Sequence, residues 1–153
     1  TSGLENKILR KTSLPVEKVT LKIQDIIGVM FATMEKEEGI GIAAPQCGVN
    51  LRMAWVKLNP STKKQKNIIM INPRIVKRSM RMETGEEGCL SLRGKFGEVM
   101  RAFSLTVIYQ DISMKQHELQ LDALNARIVQ HEVDHLDGVL FWDRVDFGLE
   151  EDE

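Results

Sequence analysis

Cysteine is scarce: the 153-residue chain has two, Cys47 and Cys89. Two thiols make no disulfide framework, so a reducing, cytoplasmic compartment is the default. Excess charge of either sign is also lacking, since 21 Lys+Arg stand against 22 Asp+Glu for a formal net charge of −1. That balance excludes a broad, non-specific nucleic-acid surface, which needs a basic excess. No apolar run approaches the roughly 18 residues of a membrane span, and the N-terminal stretch has no apolar core of the signal-peptide kind. There is no internal repeat and no low-complexity linker. With 42% hydrophobic and 28% charged residues, the composition is that of an ordinary soluble globular protein. The length suits one domain, residues 1–153, with a single core. Thr1-Ser2-Gly3, without an initiator Met, reads as a processing remnant.

The clearest helical signal runs from about Val19 to Lys36. Val19, Ile23, Ile26, Ile27, Met30, Phe31 and Met34 recur at three- and four-residue steps, marking one apolar face. Gly28 weakens this amphipathic helix slightly, and Gly39 is a reasonable stop. From Gly39 to about Gln120 short β-like runs alternate with breakers. Leu51 to Leu58 and Ile68 to Ile71 flank the polar tip Asn59 to Gln65 and read as a hairpin. Lys63, Lys64 and Lys66 at that tip read as a solvated turn. Arg74 to Ser79, Leu105 to Ile112 and Glu118 to Leu121 supply further strands. A second helix covers about Ala123 to Leu136, with Asp122 as N-cap and Asp137-Gly138 as its end. Val139 to Trp142 reads as a short strand, and Glu150-Glu151-Asp152-Glu153 as a frayed acidic tail. Strands followed by a lone helix predict an α+β fold rather than alternating βαβ units. In that fold antiparallel sheets would pack around the second helix, with the amphipathic helix N-terminal to them.

The second helix carries His131-Glu132-Val133-Asp134-His135. Histidines at i and i+4 project from one face, one turn apart, so both imidazoles can reach a single metal ion. Glu132 lies beside them, placed to take a proton from an activated water rather than to act as a ligand. The structural alternative is a pair of satisfied core histidines. Ile128 and Leu124 stand one and two turns upstream on the same face, an apolar wall suited to an apolar substrate side chain.

A catalytic site of this type takes three protein ligands and keeps one position open. A metzincin would place a third His six residues after His135, where Phe141 stands, so that reading fails. A thermolysin-like site needs a downstream Glu on another helix, and only the tail residues Glu150, Glu151 and Glu153 remain. His117 sits in a polar alternating run and reads as a surface residue. Of the thiols, Cys47 reads as a small core residue. Cys89, in the glycine-bracketed loop Glu86-Glu87-Gly88-Cys89-Leu90-Ser91, is the candidate third ligand, since a metal would stabilise its thiolate. A lone cysteine of this kind is otherwise buried and inert. Gly39-Ile40-Gly41-Ile42-Ala43-Ala44 matches the G-x-G-x-x-A dinucleotide pattern, yet it follows a helix and runs into Pro45, so a nucleotide site is rejected on context. Small residues there let a backbone approach a ligand closely, and Gln46 adds an amide donor.

Three segments in order, Gly39 to Gln46, Glu87 to Ser91 and His131 to His135, resemble the peptide deformylases. That family is marked by G-φ-G-φ-A-A-x-Q, E-G-C-L-S and H-E-x-D-H, with φ apolar. The likeness extends from Ile8-Leu9-Arg10-Lys11 to Leu136-Asp137-Gly138-Val139-Leu140-Phe141, nearly the whole chain. The resemblance implies that Cys89, His131 and His135 hold one divalent metal, Fe(II) by family habit, with zinc, nickel or cobalt as alternatives. It implies Glu132 as general base and acid, with the Gln46 amide and the Leu90 N–H as the oxyanion hole. It further implies that Gly41 binds the substrate backbone and that Ile42, Leu124 and Ile128 line a methionine pocket. Arg101 would pair with Glu87 and hold the cysteine loop. The implied reaction is hydrolysis of the formyl group from N-formyl-methionyl nascent peptides, releasing formate.

The chain departs from the family at Leu92-Arg93-Gly94, where Pro-Gly is common, and at Phe96, where many members carry Arg or Tyr. It also ends eleven residues after Trp142, where many bacterial members continue into a helix that in some engages the ribosome, which leaves a ribosome partner in doubt. A monomer is expected, with no membrane partner and no direct nucleic-acid binding; the source would be bacterial, with organellar or viral origin the alternatives. Against the deformylase reading stand a zinc endopeptidase and a metal-stabilised binding module without turnover.

Overall fold

A computed structural model describes residues 3–145. Helix α1 spans Leu21–Lys36. It starts two residues later than the apolar spacing suggests, because Thr20 takes the N-cap position and its hydroxyl accepts the Ile23 N–H at 3.2 Å. A cap of this kind is worth about 1 kcal/mol. Ile27, Met30 and Met34 are buried, each contributing roughly 1.5–3 kcal/mol through the apolar area removed from water.

Among the described residues seven strands follow: β1 Gly41–Ala43, β2 Met53–Leu58, β3 Lys66–Arg78, β4 Met82–Cys89, β5 Leu92–Ala102, β6 Ser104–Gln110 and β7 Gln116–Asp122. Five of them form an antiparallel sheet in the order β1-β2-β3-β6-β7, and β4 pairs with β5 in a separate two-stranded sheet. Helix α2, Ala123–Leu136, follows β7. Antiparallel sheets with few helices make the architecture α+β.

The period-two alternation of a strand sorts side chains onto the two faces of the larger sheet. Met53 pairs with Ile71 and Trp55 with Ile69, and these meet Ile27, Met30 and Met34 of α1. Val56, Leu58, Met70 and Val107 point the other way, onto Ala126, Val129 and Val133 of α2. With both faces covered, β2 reads Met-Ala-Trp-Val-Lys-Leu, nearly continuous apolar rather than alternating. A further cluster of Leu9, Leu92, Val99, Leu140 and Phe141 lies under the two-stranded sheet.

The hairpin of β2 and β3 forms around its polar tip, with Lys63, Lys64 and Lys66 exposed. The two runs expected as Ile68–Ile71 and Arg74–Ser79 are one strand, interrupted by a register shift at Asn72, whose φ is 52°. The Asn72 side chain accepts the Val16 N–H and donates to the Val16 carbonyl, both at 2.8 Å, which stabilises the irregularity. The segment expected as a strand over Val139–Trp142 is instead a 3-10 turn, Phe141–Arg144. Asp143 accepts the Leu140 N–H at 2.9 Å, a local cap that favours the turn over extended backbone. Asp122 occupies the α2 N-cap position without a side-chain cap bond, and Gly138 closes the helix at φ 77°. Cys47 is half-buried beside the α1 face, where burial pushes its thiol up. His117, in β7, pairs with Asp111 of the β6–β7 turn at 2.7 Å, both half-exposed. Thr1, Ser2 and the acidic tail lie outside the described residues. No helix among those described is long and apolar enough to cross a membrane.

Candidate active site

Helical spacing brings His131 and His135 to one face of α2, with ring centroids 5.1 Å apart. Cys89, expected on a loop, is the last residue of β4, and its Sγ lies 3.3 Å from His135 Nε2. The ligand atoms of Cys89, His131 and His135 all fall within 4.8 Å of one another. Gln46 sits on a 3-10 turn, Ala44–Cys47, where its Oε1 accepts the Ala43 N–H at 2.9 Å. That bond aims the amide Nε2 at Cys89 Sγ (3.4 Å) and Ser91 Oγ (3.3 Å). The Ser91 N–H also points at Sγ, at 3.5 Å.

The carboxylate of Glu87 orients one imidazole: His131 Nδ1 lies 2.9 Å from Glu87 Oε1, which leaves Nε2 for a ligand. Glu87 is gripped by both Arg101 Nε (2.9 Å) and Arg101 Nη2 (2.8 Å), and by Arg127 Nη1 (2.7 Å). Arg101 Nη1 reaches Asp134 Oδ2 at 2.6 Å, and Arg144 holds both oxygens of Asp134. Burial opposes charge on Glu87, yet the bonds from Arg101 and His131 hold its carboxyl well below the usual carboxylate range. Arg101 is buried too, and Glu87 and Asp134 overcome that burial to hold its guanidinium firmly protonated. Burial also opposes charge on His131, but its bonds to Cys89 and Glu87 push it up to about 10. For His135 burial wins, and the ring stays neutral.

Glu132 is 5% exposed, and burial pushes its carboxyl up to about 7. Its Oε1 is buried with no hydrogen-bond partner, as is His135 Nδ1. A buried oxygen without a partner is costly unless something else meets it. Gly41 gives the carboxylate its room, since a Cβ there would lie 2.4 Å from Glu132 Oε2. The donor set therefore fits a divalent cation: one sulfur and two imidazoles able to meet on one point, with an orphaned carboxylate oxygen beside them.

A cavity of about 460 Å³ opens over these groups. Gly41, Gln46, Cys89, Leu90, Leu124, Ile128, His131 and Glu132 line it. Ile42, expected to line the methionine pocket, is not brought to it; at 1% exposure it packs against α1, and Ile40 lines the cavity in its place. Phe96 lines one wall, lying under Gly88 so closely that a Cβ on Gly88 would fall 2.6 Å from the ring. Arg93, at the rim, pairs with Glu37 beyond the end of α1. Arg127, Arg144 and Asp134 escaped the sequence reading as supports of the site. The available signal for Arg127 was its place one turn before His131, on the helix face opposite an acidic segment.

The fold and this cluster define a class, a hydrolytic centre built on an HExxH helix and able to hold one cation. Residues 3–149 match the sequence profile of the polypeptide deformylases. The chain is 43% identical to a peptide deformylase of Chlorobaculum tepidum, over 91% of this chain and 75% of that one. It is similar in structure to a class I type b peptide deformylase from Acinetobacter baumannii bound to Met-Ala-Ser, with TM-score 0.86, 36% identity, and 94% and 96% of the two chains covered. A probable peptide deformylase from the Synechococcus phage S-SSM7 matches with TM-score 0.86 and 36% identity, over 94% and 97%. The chain belongs to the peptide deformylase family of enzymes.

Proposed function

We propose that residues 1–153 form one catalytic domain that removes the formyl group from N-formyl-methionyl nascent peptides and releases formate. The observation that carries this reading is the meeting of Cys89, His131 and His135 within 4.8 Å, beside the buried Glu132 carboxylate. These three side chains would hold a divalent cation, with Fe(II) the expected ion and zinc, nickel or cobalt able to occupy the same donors. When bound, the cation supplies Lewis acidity, drawing the pKa of a water toward neutrality and polarising the formyl carbonyl.

Glu132 accepts a proton from the attacking water as oxygen bonds to the formyl carbon. Negative charge then grows on the formyl oxygen, where the Gln46 amide and the Leu90 N–H donate hydrogen bonds; losing one such donor costs about 2.7–4 kcal/mol. Glu132 returns the proton to the peptide nitrogen, the C–N bond breaks, and formate and a free amino terminus leave. Gly41 lies in β1, at one edge of the five-stranded sheet, so a peptide can add there as a further strand. Ile40, Leu124 and Ile128 supply apolar surface for the methionine side chain. The Acinetobacter relative, bound to Met-Ala-Ser, supports a peptide with this N-terminal residue. The chain would act as a monomer in the cytoplasm, where formylated chains are made.

Formate release from formyl-Met-Ala-Ser by metal-replete protein tests the reading. Turnover that disappears in Glu132→Ala, with metal still bound, is the expected result. Metal-replete protein that releases no formate overturns it.

A further inference from the structure

Arg127 joins α2 to both strands of the two-stranded sheet. Its Nη1 donates to the Val99 carbonyl of β5 at 2.8 Å as well as to Glu87 Oε2 at 2.7 Å. Its Nη2 donates to the Glu83 carbonyl of β4 at 2.6 Å. The side chain is 11% exposed. Gly85 makes room for it, because a Cβ at that position would fall 3.1 Å from Arg127 Cζ and Nε.

These bonds cross a seam. The two sheets share no strand pairing, yet the candidate cation ligands come from both sides of it: Cys89 from β4, His131 and His135 from α2. Arg101 crosses the same seam by linking Glu87 with Asp134. Gln130 of α2 crosses it too, its amide exchanging two hydrogen bonds with the Ala102 backbone at the end of β5, at 3.1 and 2.9 Å. Arg127 adds a further tie, one turn before His131, and two of its three acceptors are backbone carbonyls, one in β4 and one in β5, which cannot swing as side chains do. It also completes the cage on Glu87, the partner of the His131 ring.

We propose that Arg127 is a positioning residue that sets the spacing between the Cys89 sulfur and the His131 and His135 rings. It does so by locking the β4–β5 sheet onto α2, in a gap that Gly85 keeps open. Outer partners of ligating groups set metal affinity by roughly 10- to 100-fold, and a tie at this seam that also holds Glu87 belongs to that class. Substitution by Met keeps the apolar stem, and Glu87 stays paired with Arg101, so no buried carboxylate is stranded. The inference rests on the reading of Cys89, His131 and His135 as a cation site.

The test uses Co(II) as the probe, without substrate, because Arg127 also lines the cavity. Affinity is measured by chelator competition, and ligand geometry by the thiolate charge-transfer and d–d absorption bands. Arg127→Met is expected to weaken Co(II) binding at least tenfold and to shift the d–d bands, and Arg127→Lys to recover part of both. Gly85→Ala, which crowds the guanidinium, is expected to reproduce a smaller shift that vanishes when combined with Arg127→Met. Wild-type affinity and spectra in both Arg127→Met and Gly85→Ala overturn the proposal. So does an affinity loss that only tracks the metal-free protein's loss of urea resistance, with unchanged spectra. Should Arg127→Met not fold, Gly85→Ala alone decides. Failure of the parent protein to bind Co(II) with a thiolate band refutes the cation site itself, a distinguishable result.

Discussion

The Cα of Gly41 and the carboxylate of Glu132 are so close that no side chain fits between β1 and α2: a Cβ would stand 2.4 Å from Oε2 and 2.9 Å from Cδ. The proposed base is thus aimed by the absence of an atom in a neighbouring strand. Gly41→Ala is expected to swing the carboxylate away and lower formate release about 100-fold, the order of loss a misplacement near 1 Å produces. Cation content should stay at the parent level. Steady-state kinetics with metal analysis on the same sample checks both halves, and parent-like turnover contradicts the placement.

Glu132→Gln keeps the shape and the crowding against Gly41 but cannot accept a proton. A drop of about 10²- to 10⁴-fold in kcat is expected, the usual worth of a positioned base. KM should change little, since the methionine-side apolar wall is untouched. A variant retaining more than a tenth of the parent kcat would move the base elsewhere.

Removal of the cation with a chelator is expected to abolish formate release, and Co(II) or Ni(II) to restore it. Cys89→Ala should resist restoration at the same ion concentration, because two imidazoles alone hold divalent ions more weakly than three donors. Equal restoration of parent and variant would show that Cys89 is not a ligand.

Arg101 is 4% exposed and serves two carboxylates, Glu87 and Asp134. Arg101→Met strands part of that charge, at a cost of about 3–5 kcal/mol. The urea midpoint of the metal-free protein should fall accordingly. A shift below about 1 kcal/mol would mean that Arg127 and Arg144 satisfy the two carboxylates without it.

Farther out, Arg10 binds Asp143 through both terminal guanidinium nitrogens, Nη1 and Nη2, at 2.5 and 3.1 Å. The Arg10 bonds hold the Asp143 carboxyl below its ordinary 3.8. A depressed folded-state pKa stabilises the fold above the ordinary value, and that contribution is lost as pH falls through the lower one. Asp143→Asn should therefore lower Tm at pH 7 and make a smaller difference below pH 3.8. Both partners are about a third exposed, so solvent screens the pair and its contribution to stability is discounted. A larger difference in acid than at pH 7 would reverse the sign and refute the pairing's role.

The sequence disclosed the elements whose apolar period is strong. α1 buries one stripe and leaves a helical period in the residues, while the β2–β3 hairpin, covered on both faces, shows as two apolar runs around a polar tip. Met-Glu-Thr-Gly-Glu-Glu-Gly-Cys and Leu-Arg-Gly-Lys-Phe-Gly-Glu-Val-Met-Arg-Ala carry no such period, and β4 and β5 went unread. Leu92, Val99 and Ala102 are buried in β5, but irregularly spaced, and the close-packed positions between them and along β4 are glycines pressed against Arg127, Phe96 and Val145. The site motifs were legible because metal-ligand chemistry demands particular residues at helical spacing. The Ile40 and Ile42 exchange was not, because a three-residue strand gives too little pattern to tell the cavity side from the core side.

Cys89 and His135 stand 46 residues apart in the chain, and the strand bearing the thiol joins no ladder of the larger sheet. Closing a contact so distant in sequence carries a loop-closure cost that local hairpins and helices do not. If the proposed cation binds here, its capture would act as a checkpoint on assembly: a polypeptide that has not brought its halves together offers only the two imidazoles of α2, and tight loading would report a chain that has already matured.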